Sequence, residues 1–71
     1  GSERNSKKDF IRFLQYAKGS CGELRTQIYI GIDIGYINSS QGKSWIDETR
    51  EISAMLFSFT NSIKNQLKTE G

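Results

Sequence analysis

Five basic residues near the start of the chain have the types and spacing that could bind a polyanion: Arg4, Lys7, Lys8, Arg12 and Lys18. The first 25 residues carry a net charge of +3, against +2 for the whole chain. On a helix, Arg4, Lys8 and Arg12 lie one turn apart along one edge, close to the free amide groups of the helix start. Such a cluster can contact phosphates, so these five residues are the candidate nucleic-acid-binding site. The alternative is a solvated basic end without a ligand.

Other chemistry finds little support in the sequence. Gly19–Gly22 and Gly42–Ser44 resemble phosphate-binding loops only in part, because neither has the full glycine and lysine spacing or a preceding strand. Without histidine and with Cys21 alone, the chain has neither a zinc ligand set nor a base beside a thiol. Asp47 and Glu48 lie on a polar helix face. We therefore expect no catalytic residue, metal, cofactor or small-molecule substrate, and no enzymatic activity.

The secondary structure that positions these residues depends on residues 6–37, where the apolar residues fit both a helical and a strand spacing. Within this range, alternating steps of four and three predict one stripe of a helix, whereas Ile28, Ile30, Ile32 and Ile34 alternate as in a half-buried strand. A strand here would have no partner for its backbone groups, so we predict a helix. The helical stripe consists of Phe10, Leu14, Ala17, Cys21, Leu24, Ile28 and Gly31.

Capping residues set the expected boundaries of a single helical-hairpin domain over residues 1–71. Ser6 is a suitable N-cap for a first helix over 7–34, and Gly35 is suited to the position just after its end. A loop is expected over 35–44. Ser44 is then the expected N-cap of a second helix over 45–68.

Both predicted helices have apolar stripes too wide for a single neighbour. We therefore predict an all-α fold, an antiparallel hairpin forming half of an up-down four-helix bundle that self-association completes. A homodimer of hairpins is the simplest assembly. The expected core and oligomer interface consists of Phe10, Leu14, Ala17, Cys21, Leu24, Ile28, Ile52, Leu56, Phe59 and Ile63.

Composition narrows the class of protein further. The chain has 71 residues, of which 35% are hydrophobic and 25% charged, so it has room for one small domain. It contains no apolar stretch of about 18 residues, the length that a membrane span requires. We also expect no signal peptide. We expect a cytoplasmic protein without a membrane partner.

The first half of the chain resembles the small four-helix-bundle proteins encoded in intervening sequences of bacterial large-subunit (23S) ribosomal RNA genes. The opening of that family's third helix matches Gly1, Ser2, Arg4, Ser6, Lys7, Lys8, Phe10, Arg12, Phe13 and Leu14. Its continuation and closing Gly-Tyr match Ala17, Gly19, Ser20, Glu23, Leu24, Thr26, Gln27, Gly35 and Tyr36. The resemblance implies the C-terminal half of such a bundle.

The resemblance implies a function in protein assembly. Full-length proteins of this kind form rings of five, so the resemblance implies a larger ring as the alternative to a homodimer. A relative, the accessory variability protein of diversity-generating retroelements, binds nucleic acid and a reverse transcriptase. We therefore expect a non-enzymatic assembly module whose partners are itself and, at its basic N-terminal end, RNA or a nucleic-acid-bound protein such as a reverse transcriptase or a ribosomal component. The alternative is a purely structural oligomerisation fragment without a ligand.

Overall fold

Two long helices make up the computed structural model, which describes residues 2–70. Helix α1 spans Ser2–Asp33 and helix α2 spans Ser39–Glu70. They pack side by side in opposite directions as a hairpin about 51 Å long and 15 Å wide. Residues 2–70 contain no strand, and α1 continues through the alternating isoleucines. The predicted all-α hairpin is therefore confirmed.

The contact between the helices follows a heptad spacing. Buried and half-buried residues recur at steps of three and four along both helices, the spacing that keeps one stripe of each helix against the other. On α1 these seam residues are Lys7, Ile11, Leu14, Ala17, Cys21, Arg25, Ile28 and Ile32. On α2 they are Gly42, Ile46, Thr49, Ser53, Leu56, Thr60, Ile63 and Leu67.

The seam is apolar near the open end of the hairpin and polar in its middle. Ile11, Leu14 and Ile63 form the buried cluster, with Leu56 and Leu67 packed against it. Farther along, Arg25 takes a seam position, and its guanidinium donates hydrogen bonds to Thr49 Oγ1 and Ser53 Oγ, both at 3.1 Å. These bonds satisfy a half-buried cation without a carboxylate and hold the two helices in register.

Helix α1 ends as its sequence predicts, in a Schellman motif. Gly35 has φ of 82°, a left-handed conformation that glycine adopts without steric cost. The Tyr36 amide donates to the Gly31 carbonyl at 2.9 Å, and the Gly35 amide donates to the Ile32 carbonyl at 3.1 Å. The Ile37 amide also reaches the Gly31 carbonyl, at 3.1 Å, so the chain turns back over the last turn of α1.

The helix starts differ from the predicted ones. Helix α2 begins at Ser39, because Asn38 is its N-cap: the Asn38 side-chain oxygen accepts the amides of Ser40 at 2.9 Å and Gln41 at 3.3 Å. The predicted loop over 35–44 was too long and the predicted cap Ser44 lies inside α2, which continues to Glu70 instead of ending at residue 68.

The first helix also begins earlier than predicted, at Ser2, so Ser6 lies within it and does not cap it. Two side chains from the first turns of α1 contact the end of α2. Arg4 Nη1 donates to the Leu67 carbonyl at 3.4 Å, and the Lys7 ammonium pairs with the Glu70 carboxylate. These contacts give the early turns a tertiary partner, which local capping rules do not consider.

Two glycines allow close packing at the hairpin corner. A methyl group built on Gly42 would lie 2.7 Å from Ile32 Cγ1 and 3.3 Å from Ile37 Cγ2. One built on Gly31 would lie 2.9 Å from Ile37 Cγ1. Ile32 and Ile37 therefore occupy the space that larger residues at positions 31 and 42 would need.

Candidate functional site

The five basic residues predicted from the sequence divide into two groups. Arg4 and Lys7 bind the end of α2, so part of their hydrogen-bonding capacity is already used within the hairpin. Lys8, Arg12 and Lys18 lie exposed farther along α1. Two of the five predicted residues therefore contact the end of α2, and the other three face solvent.

The exposed members of the predicted cluster have different surroundings. Arg12 Nη1 donates to Asp9 Oδ1 at 3.3 Å on the helix surface, a contact that solvent screens. The Lys18 ammonium lies over the ring of Phe57, 4.7 Å from its centroid, in cation–π geometry. Lys8 makes no hydrogen bond or ion pair within residues 2–70.

The predicted interface residues also divide into two groups. Leu14, Ile28 and Ile63 are buried in the seam, and Ala17, Cys21 and Leu56 are half-buried. The remaining four, Phe10, Leu24, Ile52 and Phe59, stay exposed beside the seam. With Trp45, which is exposed too, these four make up a surface that we call the apolar side: Phe10, Leu24, Trp45, Ile52 and Phe59.

Side chains of both helices meet at two places along the apolar side. Phe10 of α1 meets Phe59 of α2 edge to face, with ring centroids 5.5 Å apart. Toward the corner, Leu24, Trp45 and Ile52 line an open groove of about 410 Å³. Its remaining walls are Gln27, Ile28, Ile37, Glu48 and Thr49.

The opposite flank of the seam carries cations and aromatic rings. Arg50 Nη2 donates to the Tyr29 hydroxyl at 3.2 Å, in a groove of about 350 Å³ that Lys43 also lines. Toward the open end, Lys18 and Phe57 share a smaller groove of about 150 Å³ with Gln15, Thr60, Asn61 and Lys64. We call this surface the basic side and define it by four cations: Lys18, Lys43, Arg50 and Lys64.

The two sides face apart for a geometric reason. In an antiparallel pair with a heptad seam, positions just before and just after the seam lie on opposite flanks. Leu24, Ile52 and Phe59 each precede a seam residue, whereas Arg50, Phe57 and Lys64 each follow one. The hairpin thus separates apolar from basic surface.

Comparison with known protein families bears directly on this hairpin. The sequence model of the family described as 23S rRNA-intervening sequence protein matches residues 1–58. The chain belongs to this family. The match covers most of the chain and confirms the family proposed from the residues, and the family's description states neither a ligand nor a reaction. Searches of curated proteins and of solved structures found no match.

Within residues 2–70, neither helix has a segment that is long and apolar enough to cross a membrane. Within the same residues, no three His, Cys, Asp or Glu side chains come together as metal ligands would. Carboxylates at the corner, Asp33 and Asp47, are exposed.

The α2 part of the basic side was not among the residues predicted from the sequence. Lys43, Arg50 and Lys64 are far apart in sequence, and the charge count showed only that the first 25 residues are the basic part. A signal was nevertheless present: Lys43, Arg50, Phe57 and Lys64 are each seven residues apart, the spacing that repeats one helix face. Lys18 joins them only because the helices pair.

Proposed function

We propose that this chain is a non-enzymatic assembly module that self-associates through its apolar side and binds RNA with the exposed cations of α1. The observation that carries the proposal is the separation of apolar and basic surface onto opposite flanks of the hairpin. One flank is free to bind RNA while the other is buried against another copy. A cytoplasmic location, where RNA is made, fits this function.

The apolar side supports the assembly part. Its five large side chains remain 41–51% exposed in the hairpin, and all five lie on the same flank of the seam. Glu48 is the only charged residue that lines its groove. Covering a surface of this kind with another apolar surface removes it from water and lowers the free energy.

A second copy is the partner that fits this surface best. The same apolar residues occur on every copy, so a two-fold pair covers both apolar sides at once and gives four helices around a shared core. The aromatic residues Phe10, Trp45 and Phe59 provide rigid contact area of the kind that dominates interfaces. A larger ring would use the same surface in a different arrangement.

Two phenylalanines allow a matched test of the assembly surface. Phe59, on the apolar side, is 51% exposed, and Phe57, on the opposite flank, is 53% exposed. Sedimentation equilibrium from about 1 to about 200 µM would follow wild type, Phe59→Gln and Phe57→Gln. We expect Phe59→Gln to weaken association by about tenfold or more, the effect of removing a central aromatic side chain, and Phe57→Gln to change it little.

The outcomes are distinct. A wild-type chain that is folded and monomeric over the whole concentration range would contradict self-association. Equal weakening in the two variants would show that the apolar side is not the interface. The measured mass also separates a dimer from a larger ring.

The RNA part rests on Lys8, Arg12 and Lys18, which α1 leaves exposed. Filter binding of a structured RNA at low and moderate salt would compare wild type with the double variant Lys8→Gln/Arg12→Gln. We expect weaker binding by the variant and a smaller dependence on salt, by about 0.9 in log–log slope for each phosphate that the variant no longer neutralises. Absence of RNA binding by the wild type at low salt would leave the purely structural oligomerisation fragment.

A further inference from the structure

The basic side has a regular spacing of charge along the hairpin. Lys43, Arg50, Phe57 and Lys64 lie at seven-residue intervals on α2, so neighbours are about 10 Å apart along the helix axis. At the third of these positions, Phe57, the Lys18 ammonium of α1 lies over the aromatic ring. A cation therefore occupies each of the four places, over a length of about 31 Å.

Aromatic rings hold two of these cations in place. The Tyr29 hydroxyl accepts a hydrogen bond from Arg50 Nη2 at 3.2 Å, and the Phe57 ring lies 4.7 Å from Lys18 Nζ. Contacts of this kind reduce the side-chain entropy that a bound partner would otherwise have to remove. Tyr29 is still 47% exposed and Phe57 53% exposed, so both rings have surface left for a ligand.

The grooves beside the cations also contain uncharged polar groups and one acid. Gln15 and Asn61 line the groove of Lys18 and Lys64 and provide hydrogen-bond donors and acceptors. Asp47 lines the groove of Lys43 and Arg50. Its carboxylate offsets one charge, so the grooves and their cations together carry a net charge of +3.

We propose that the basic side binds single-stranded RNA, with backbone phosphates on Lys18, Lys43, Arg50 and Lys64 and unpaired bases stacked on Tyr29 and Phe57. This inference rests on the RNA-binding part of the proposed function, names the nucleic-acid class, and adds three cations of α2 to Lys18. Cations alone would suit any phosphate backbone. The exposed rings between them favour a single strand, because bases in a duplex are already stacked and paired.

Salt dependence tests the phosphate contacts. Fluorescence anisotropy would measure binding of a labelled oligouridylate of about 20 nucleotides at several salt concentrations. Four phosphate contacts predict a log–log slope of about −2.8, and each of Lys43→Gln, Arg50→Gln and Lys64→Gln should reduce its size by about 0.7. Lys64→Arg, which keeps the charge, should bind like wild type.

A matched pair of double variants separates the site from overall charge. Lys43→Gln/Arg50→Gln removes two charges from the basic side, and Arg4→Gln/Lys7→Gln removes two from the open end of the hairpin, where both residues contact the end of α2. We expect the slope to fall by about 1.4 units only in the first of these variants. Circular dichroism of each variant would confirm unchanged helicity. An equal fall in both would overturn the site and leave charge alone as the cause.

The stacking contacts have a different signature. Phe57→Leu keeps an apolar side chain but removes the ring, so affinity should fall about fivefold or more at every salt concentration while the slope stays the same. Wild-type affinity for a duplex of equal length above that for the single strand would overturn the proposal. So would equal affinity of Phe57→Leu and wild type.

Two further binding measurements distinguish other sources of phosphate. An oligodeoxythymidylate of the same length should bind through the same residues, and the ratio of its affinity to that of the RNA measures any contribution of the ribose hydroxyls. Vesicles rich in anionic lipid should bind weakly, and vesicle binding as sensitive to Phe57→Leu as RNA binding would overturn the proposal. If wild type binds no RNA at any salt concentration, both this proposal and the RNA part of the proposed function fail.

Discussion

Replacing Gly42 with alanine tests the close packing at the hairpin corner, and Gly19 provides a control within the same fold. Both glycines lie in helix interiors, where alanine is more favourable than glycine by about 1 kcal/mol. Their surroundings differ. A methyl group at position 19 meets nothing within 4 Å, whereas one at position 42 would lie 2.7 Å from Ile32 Cγ1.

The expected effects follow from adding these two contributions. Gly19→Ala should stabilise the chain by about 1 kcal/mol, the propensity gain alone. At position 42 overpacking costs about 1–3 kcal/mol, so Gly42→Ala should range from neutral to about 2 kcal/mol less stable than wild type. The two variants should therefore differ by about 1–3 kcal/mol.

Thermal unfolding followed by circular dichroism would measure this difference. At about 4–8 °C per kcal/mol for a domain of this size, Gly19→Ala should melt above wild type and Gly42→Ala at or below it. Each comparison should be made at the same protein concentration, because self-association would raise the melting temperature. An equal rise for both variants would refute the close contact between Gly42 and Ile32.

Three further predictions concern the ends of the helices. Gly35→Ala should destabilise the chain by about 1 kcal/mol in thermal unfolding, because alanine at a φ of 82° is strained; a variant as stable as wild type would contradict the observed turn. Asn38→Ala should cost about 1 kcal/mol in urea unfolding through removal of the α2 cap, and Asn38→Ser should recover most of it. For Lys7 and Glu70, a double-mutant cycle should give a coupling below about 1 kcal/mol that decreases with salt, and a larger value would indicate a less screened pair.

Local rules predicted the parts of this protein that depend on a few neighbouring residues. Gly35 ends α1 as expected, because only a residue that tolerates positive φ suits that position. Helix prevailed over strand at Thr26–Asp33 because the chain offers no strand partner. The predicted helix starts at Ser6 and Ser44 were wrong. Asn38 caps α2 six residues before Ser44, and Arg4 and Lys7 contact α2 from turns at the start of α1.

Which stripe of each helix faces the other was harder to predict. The predicted core includes Phe10, Leu24 and Phe59, which stay exposed. The seam contains Ile11 and Arg25 instead, each one residue after a predicted position. Because these two sets of positions differ by only one residue in register, hydrophobicity alone does not separate them.

The sequence by itself determined the family, the helical hairpin and the turn at Gly35, because matching motifs, helix periodicity and a left-handed glycine all act over short stretches of chain. Only the tertiary structure decided the seam and, with it, the two opposite sides. Close approach at the corner, where Gly42 meets Ile32, favours small residues such as Thr49 and Ser53 between the helices. Phe10, Trp45 and Phe59 are left on one flank, and cations seven residues apart on α2 become part of the basic side on the other.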